Sequence, residues 1–205
     1  MLLWWLASAQ AADSAVWTGT LVQSQLHEPG SRGFRLWADL HARRDGERLV
    51  GIVRPGVGFD LSRHTSVYAG YAWIGTAADE DGLAHEHRLW EQLIWTGSLA
   101  PVGLTVRPRL EQRFAGGAAG LRFRLFLRGQ VDLREPFALV LSDETFFGLD
   151  DAFLPAGFDQ NRLFLGLALK GEGFRVEVGW LDQRLWREGA WTSVEAVSTT
   201  LFVNF

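Results

Sequence analysis

Arginine and glutamate side chains recur at alternate positions in several segments of this sequence. In residues 105–114, for example, Arg107, Arg109, Glu111 and Arg113 share one phase, and the opposite phase is mostly apolar. The planar guanidinium of arginine can hold a carboxylate or a phosphate through two hydrogen bonds, and it stays charged under essentially all conditions. Rows of this kind predict either internal ion pairs or a path that binds an anion.

Twelve residues in the charged phase of the predicted strands form the candidate charge network. They are eight arginines and four glutamates: Glu86, Arg88, Arg107, Arg109, Glu111, Arg113, Arg122, Arg124, Glu144, Arg162, Arg175 and Glu177. The simplest interpretation is an electrostatic plug, in which opposite charges neutralise one another and fill the interior of a barrel. The excess of arginine supports a second interpretation, a narrow path or pocket for a small anionic solute or a lipid headgroup.

The sequence offers little for catalysis, and an enzyme is the less favoured interpretation. His64 lies near Ser62 and Ser66, and His85 and His87 precede a predicted strand, but no Gly-x-Ser-x-Gly nucleophile pattern occurs. The chain has no cysteine, which excludes disulfides, thiolate metal sites and thiol nucleophiles. We therefore assign no catalytic residue, no metal ligand and no cofactor.

Composition limits the class of protein. The 205 residues are 47% hydrophobic and 13% aromatic, which excludes a disordered chain and fits a single domain. No apolar run approaches the roughly 20 residues that a membrane-spanning helix needs. A net charge of -4 argues against nucleic acid as a partner, although 19 of the 20 basic residues are arginine and only Lys170 is lysine.

The first residues resemble an export signal. Residues 2–9 form a short apolar run, and Ala9-Gln10-Ala11 has the small-x-small pattern of a cleavage site. Because the positive segment that normally precedes such a run is missing, we interpret residues 1–11 as a truncated signal peptide and residues 12–205 as one domain. A buried N-terminal strand or helix is the alternative.

Period-two alternation recurs along the chain over about ten residues at a time, and this predicts an all-β protein. Strands of soluble sandwiches average five to six residues, whereas membrane-spanning strands need about 9 to 11. The lengths therefore favour an antiparallel transmembrane β-barrel. The predicted strands are 15–26, 33–43, 48–59, 65–75, 86–96, 103–114, 120–129, 137–146, 159–170, 173–184 and 194–205. Because single-chain bacterial barrels have even strand numbers, we expect 10 to 12 strands and favour 12.

The C-terminus strengthens this prediction. Phe205 ends the chain in phase with Val197, Thr199, Leu201 and Val203. A terminal aromatic residue preceded by alternating apolar residues resembles the assembly signal of bacterial outer-membrane proteins. It implies the outer membrane as the location, and as partners both the membrane lipid and, through the last strand, the barrel-assembly machinery.

Aromatic residues that would face the headgroup regions of the membrane are Trp17, Tyr71, Trp73, Trp95, Trp180 and Trp191. One position conflicts with the scheme. Glu91 shares a phase with Leu89, Leu93 and Trp95. Its carboxylate would therefore face lipid, at a cost of up to a few kcal/mol.

Several blocks resemble the bacterial outer-membrane family catalogued as domain of unknown function 2490. They are 54–59 (RPGVGF), 68–73 (YAGYAW), 86–92 (EHRLWEQ), 107–114 (RPRLEQRF), 143–147 (DETFF), 158–162 (FDQNR) and 177–181 (EVGWL). The resemblance runs from about Trp17 to Phe205, and Phe59 and Trp180 depart from it by standing where tyrosine is expected. It implies an outer-membrane barrel and no established activity.

Three functions remain open at this point. The favoured one is an outer-membrane β-barrel with an arginine- and glutamate-lined, largely plugged interior, whose role is structural or lies in the binding or passage of a small anionic solute or lipid. The second is an outer-membrane enzyme that modifies lipid. The third is a soluble periplasmic β-barrel that binds an apolar ligand, which would require the Leu and Phe phase to face inward.

Overall fold

The fold is a single closed sheet of β-strands. The computed structural model describes residues 15–28, 31–78, 82–153, 155–187 and 190–205, so the predicted signal peptide at 1–11 lies outside the described residues. The strands are β1 Ala15–Gln25, β2 Gly33–Asp45, β3 Arg48–Ser62, β4 Thr65–Ala78, β5 Gly82–Leu99, β6 Val102–Ala115, β7 Ala118–Asp132, β8 Phe137–Gly148, β9 Gly157–Gly171, β10 Phe174–Arg187 and β11 Ala190–Asn204. Among these residues there is no helix long and apolar enough to cross a membrane.

The predicted all-β barrel of 10 to 12 strands is confirmed. The described residues form eleven strands, one fewer than the favoured number, and each overlaps one predicted segment. The largest difference in length is β5, which extends beyond the predicted 86–96 at both ends.

The barrel closes through a parallel pair. Each strand from β1 to β11 pairs antiparallel with its neighbour in the chain, and β1 then pairs with β11 in parallel, from Ala15 opposite Ala196 to Gln23 opposite Asn204. This direction follows from the odd strand number, because strands that alternate in direction leave the first and the eleventh pointing the same way. The closing pair is where the described barrel departs from the predicted antiparallel arrangement.

The two ends of the barrel are named here by the chain termini. The N-terminal rim is the end where β1 begins, and it includes the connections β2–β3, β4–β5, β6–β7, β8–β9 and β10–β11. The C-terminal rim is the end where β11 finishes, and it includes the remaining connections, of which residues 26–32 form the longest.

Alternate residues of each strand face the interior and the outside, and the two faces differ sharply in chemistry. On β2, Leu36 and Leu40 are about half exposed on the outside, whereas Trp37 and Asp39 are buried inside. Large apolar side chains dominate the outer surface of most strands, and most of the fully buried charges lie inside. The distribution is the reverse of that in a soluble protein, where the apolar face is inward.

Aromatic packing fills part of the interior. The Trp90 indole is almost fully buried beside Trp37 and lies against the backbone at Gly56 and Gly70, where an added Cβ would come within 2.6 and 2.5 Å of the indole. Only glycine therefore leaves room for Trp90 at these two positions. A second apolar cluster, around Val140 and Phe164, packs on the opposite side of the interior.

Five of the six predicted outward aromatic residues are on the outer surface: Tyr71, Trp73, Trp95, Trp180 and Trp191. The prediction is wrong for Trp17. Its indole lies inside the barrel, where the guanidinium groups of Arg43 and Arg162 lie over the ring. Strand β1 therefore presents its tryptophan to the interior charges and not to the outer surface.

The parallel closure predicts which residues can be cross-linked. Thr18 and Thr199 are direct partners across the closing pair, and a cysteine-free chain allows a double substitution without competing thiols. We expect Thr18→Cys with Thr199→Cys to form a disulfide under mild oxidation, because paired Cα atoms lie within the roughly 4.4 to 6.8 Å that a disulfide spans. Mass spectrometry of the digested protein measures it.

The matched control is Thr18→Cys with Val203→Cys, four residues further along β11, where the thiols are too far apart in the parallel register. Cross-linking of the control pair, and not of the first pair, would contradict the described closure.

Candidate functional site

Glu111 is the centre of the largest charge cluster in the interior. This residue of β6 is 1% exposed, and its carboxylate lies 2.5 Å from the guanidinium groups of both Arg122 and Arg124. Arg88 and Arg109 lie 3.4 and 3.7 Å away. One carboxylate is thus surrounded by four arginines from β5, β6 and β7, which leaves the cluster with an excess of positive charge.

Two further glutamates extend the cluster in opposite directions. Glu86 accepts hydrogen bonds from Arg88 at 2.8 Å and from Arg113 at 2.5 Å, on the side of the N-terminal rim. Glu144 of β8 lies 2.7 Å from Arg124, and Arg107 and Arg162 lie 3.3 and 3.9 Å from it. The ion pairs therefore run continuously from β5 across to β9.

Ten of the twelve predicted network residues are joined in this way: Glu86, Arg88, Arg107, Arg109, Glu111, Arg113, Arg122, Arg124, Glu144 and Arg162. The other two, Arg175 and Glu177, are paired at 2.8 Å in a separate cluster toward the C-terminal rim. There Glu177 also accepts a hydrogen bond from Arg128 at 2.6 Å, a residue outside the predicted set.

The sequence prediction missed a second buried pair. Arg54 of β3 donates a 2.6 Å hydrogen bond to Asp39 of β2, and the other Asp39 oxygen contacts His41. Asp39 and His41 fall in the inward phase of β2, so the alternation indicates that they face the interior. Trp37 belongs to the same phase, and its apolar ring obscured the charged character of that face. Arg54 was hidden in a block whose other members are mainly glycine, proline and valine.

Aromatic rings support the crowded arginines. The guanidinium groups of Arg122, Arg124 and Arg162 lie 5.1, 4.6 and 4.6 Å from the centroid of the buried Phe146 ring, and that of Arg109 lies 4.8 Å from Trp90. The negative face of an aromatic ring attracts a cation, more strongly where water is excluded. These rings therefore partly offset the repulsion between neighbouring arginines.

Three cavities lie in series along the interior. One of about 380 Å³ opens toward the C-terminal rim, one of about 180 Å³ lies in the middle, and one of about 370 Å³ opens toward the N-terminal rim. Arg107 and Phe126 line both the first and the central cavity. Arg43, Arg54, Arg124 and Arg162 line both the central and the N-terminal cavity. The interior is thus partly filled and narrows between successive cavities, and arginines lie at both narrow points.

A serine, a histidine and an aspartate meet at the C-terminal rim, and their proximity was not predicted from the sequence. His27 Nε2 is 3.0 Å from Asp60, and His27 Nδ1 is 3.1 Å from Ser31 Oγ and 3.0 Å from the carbonyl of Glu28. A catalytic histidine needs a free nitrogen to accept the proton of the serine. Here Nδ1 faces a carbonyl oxygen, which only accepts hydrogen bonds, and Ser31 itself donates to that carbonyl at 2.7 Å. These contacts hold His27 against Asp60 of β3 and are not arranged for nucleophilic catalysis.

The histidines singled out in the sequence have other partners. His64 Nδ1 is 3.0 Å from the carbonyl of Thr96, and His87 Nδ1 is 2.5 Å from the Tyr71 hydroxyl on the outer surface. The His85 ring packs beside Trp73, also outside. None of these three imidazoles contacts a serine side chain within the described residues.

Comparison with known proteins identifies relatives without a known activity. A family model described as "Protein of unknown function (DUF2490)" matches residues 14–194. An uncharacterized protein of Methylorubrum extorquens is 32% identical over 164 residues, covering 75% of this chain and 72% of that protein. No solved structure matches the chain.

The cluster around Glu111 predicts a large effect of a small change. Glu111→Gln keeps the shape of the side chain but leaves four arginines without their shared carboxylate, and breaking such a buried group should cost about 3 to 5 kcal/mol in the free energy of unfolding. Urea unfolding of the refolded protein in lipid vesicles measures it.

Glu91→Gln is the matched control, because Glu91 lies one strand away on the outer surface, where its partner is the amide of Gln112. We expect a change below about 1 kcal/mol for this control. Equal effects of the two substitutions would show that the interior network does not carry the predicted stability.

Proposed function

This chain belongs to the family of proteins of unknown function DUF2490, and we propose that it is an integral β-barrel of the bacterial outer membrane whose arginine-rich interior binds a small anionic solute and restricts its passage. Relatives supply no activity to transfer, so the proposal is argued from the outer surface and the interior of the barrel itself.

The observation that carries the proposal is the inverted distribution of apolar and charged residues. Leu165 and Val197 are 47% and 59% exposed, whereas Arg109 and Glu111 are 1% exposed. Apolar patches larger than a few hundred Å² are rare on soluble monomers, yet here they surround the barrel. Acyl chains would cover this surface, and a closed barrel leaves no sheet edge unpaired in lipid.

The aromatic residues on the outside support the same environment. Phe34, Phe137 and Phe174 lie at or near the first residues of β2, β8 and β10, at the C-terminal rim, and Phe205 follows β11 there. At the N-terminal rim, Phe147, Phe158, Trp186 and Trp191 pack edge to face in a continuous row from β8 to β11. Barrels of the outer membrane carry such aromatic girdles at both interfaces, with the aliphatic band between them.

The interior charges select the kind of solute. Leaving aside Arg48 and Arg63, which are exposed at the rims, the described interior holds Arg35, Arg43, Arg54, Arg88, Arg107, Arg109, Arg113, Arg122, Arg124, Arg128, Arg162 and Arg175 against Asp39, Asp60, Glu86, Glu111, Glu144, Asp159 and Glu177. Arginine therefore exceeds carboxylate by five. A low-dielectric interior lined by one sign of charge concentrates solutes of the opposite sign, so anions are favoured.

The other two functions have less support from the described residues. A soluble barrel for an apolar ligand needs leucines inside, but Leu36, Leu165 and Leu167 are on the outer surface. An enzyme needs a nucleophile with a free base, and the histidines described above are engaged elsewhere.

Membrane insertion predicts the environment of two positions on opposite faces of the sheet. A probe at Leu165→Cys should be reached by a lipid-soluble quencher and not by an aqueous one, because this side chain faces outward in the aliphatic band. A probe at Ser198→Cys, an inward position of β11 that lines the central cavity, is the control and should not be reached from lipid. Quenching of a bimane label in vesicles measures both, and preferential aqueous quenching at position 165 would refute insertion.

The charge excess predicts anion selectivity. In a planar bilayer with a salt gradient, we expect the reversal potential of the reconstituted barrel to report chloride permeating in preference to potassium. Replacing Arg107 by Gln removes a positive charge that lines two successive cavities, so the selectivity should fall. Cation selectivity of the unchanged barrel would overturn the proposed role of the interior.

A further inference from the structure

Arg43 differs from the other inward arginines of the described barrel. Its guanidinium lies 4.2 Å from the centroid of the Trp17 ring, and its Nε is buried without a hydrogen-bond partner. Within the described residues no carboxylate lies within ion-pair distance of it. Asp39, two positions before it in the same phase, is already held by Arg54 and His41. Arg43 is therefore a positive charge inside the barrel that forms no direct ion pair with these parts of the chain.

Arg162 approaches the same ring and is only weakly paired. Its guanidinium lies 5.0 Å from the Trp17 centroid, and its nearest carboxylate, Glu144, is 3.9 Å away and is contacted more closely by Arg124. Its Nε donates to the neutral amide oxygen of Gln183 at 3.2 Å. Two guanidinium groups thus share one indole, with at most a distant and already occupied carboxylate between them.

Both arginines face open space. Arg43 and Arg162 line the central cavity and the N-terminal cavity, so they stand where the two adjoin. The N-terminal cavity is lined by two carboxylates, Glu86 and Asp159, and by eight arginines. The arginines are Arg43, Arg48, Arg54, Arg88, Arg113, Arg122, Arg124 and Arg162. Glu86 is bound to Arg88 and Arg113, and Asp159 lies 3.9 Å from Arg122. Within the described residues neither forms an ion pair with Arg43.

We infer that Arg43 and Arg162 form a binding site for a doubly charged oxyanion of the phosphate class, held beside Trp17 at the junction of the central and N-terminal cavities. The inference rests on the proposed function and names the class of the anion. A phosphate group presents several oxygens that accept two parallel N–H bonds from each planar guanidinium, and its second negative charge matches one unpaired and one weakly paired arginine better than a halide does. A free phosphate and the phosphate of a lipid headgroup share this chemistry.

The test is a calorimetric titration of the folded barrel in detergent with inorganic phosphate, at constant ionic strength in chloride. The unchanged protein should bind phosphate, and Arg43→Gln should weaken binding by about tenfold or more, because a charge-assisted bidentate contact is lost. Arg44→Gln is the matched control. Arg44 is the next residue of β2, but it is exposed on the outer surface and donates a hydrogen bond to the Gly46 carbonyl. This control should bind as the unchanged protein does.

Arg43→Lys provides a second variant if Arg43→Gln does not fold. It keeps the charge but loses the planar pair of donors, so phosphate binding should weaken although the number of interior charges is the same. Arg44→Lys, the same change on the outer surface, should bind phosphate as the unchanged protein does. Vesicles containing phosphatidic acid, titrated in parallel, separate the two sources: tighter binding there than to inorganic phosphate assigns the headgroup.

An anion-selective barrel that does not bind phosphate would overturn this inference and leave the proposed function standing. Equal weakening of phosphate binding by Arg43→Gln and Arg44→Gln would overturn the inference as well. That result would mean that the total charge of the protein, and not a specific site, determines binding. If the unchanged barrel is not anion-selective, the proposed function itself is overturned.

Discussion

Charges that are removed from water inside one closed sheet must find their partners across that sheet, and the remaining structure follows from this requirement. Moving an ion into a low-dielectric interior costs several kcal/mol even after relaxation, on the order of the whole stability of a domain. The chain meets the cost by letting each carboxylate serve several arginines: Glu111 serves four, and Glu144 serves three. These shared carboxylates join β5, β6, β7, β8 and β9 into one electrostatic unit in addition to their backbone hydrogen bonds.

Much of this arrangement could be predicted from alternation alone, because the pleat of a strand fixes which residues share a face. The strand segments, the inward charges and the outward Leu phase all follow from that rule. What alternation cannot give is the neighbour across the sheet. Glu91 looked misplaced because its own strand surrounds it with leucines, but the register with β6 brings the Gln112 amide within 3.0 Å of its carboxylate. The direction of closure is equally absent from any single strand, since it depends on how many strands there are.

Trp17 shows a second limit of prediction from the sequence. Tryptophan in a membrane barrel is usually assigned to the headgroup level, and this preference misled the prediction because it considers residue type before phase. In the structure the ring serves as a surface for two arginines. Phe146 does the same for Arg122, Arg124 and Arg162, and Trp90 for Arg109. Aromatic rings therefore lie beside many of the interior arginines.

The two sides of the interior therefore accommodate their buried charges in different ways. Beside β5 and β6, buried rings and Glu111 fill the space, and glycines at 56 and 70 let Trp90 close it. Beside β1, β2 and β9, the side chains leave cavities and the arginines outnumber their carboxylates. An excess of fixed positive charge next to open space cannot remain uncompensated, because the field it creates draws anions from solution until the excess is screened. Under the proposed function, an anion that enters these cavities would complete the electrostatics of the barrel, and on this side stability and binding would depend on the same residues.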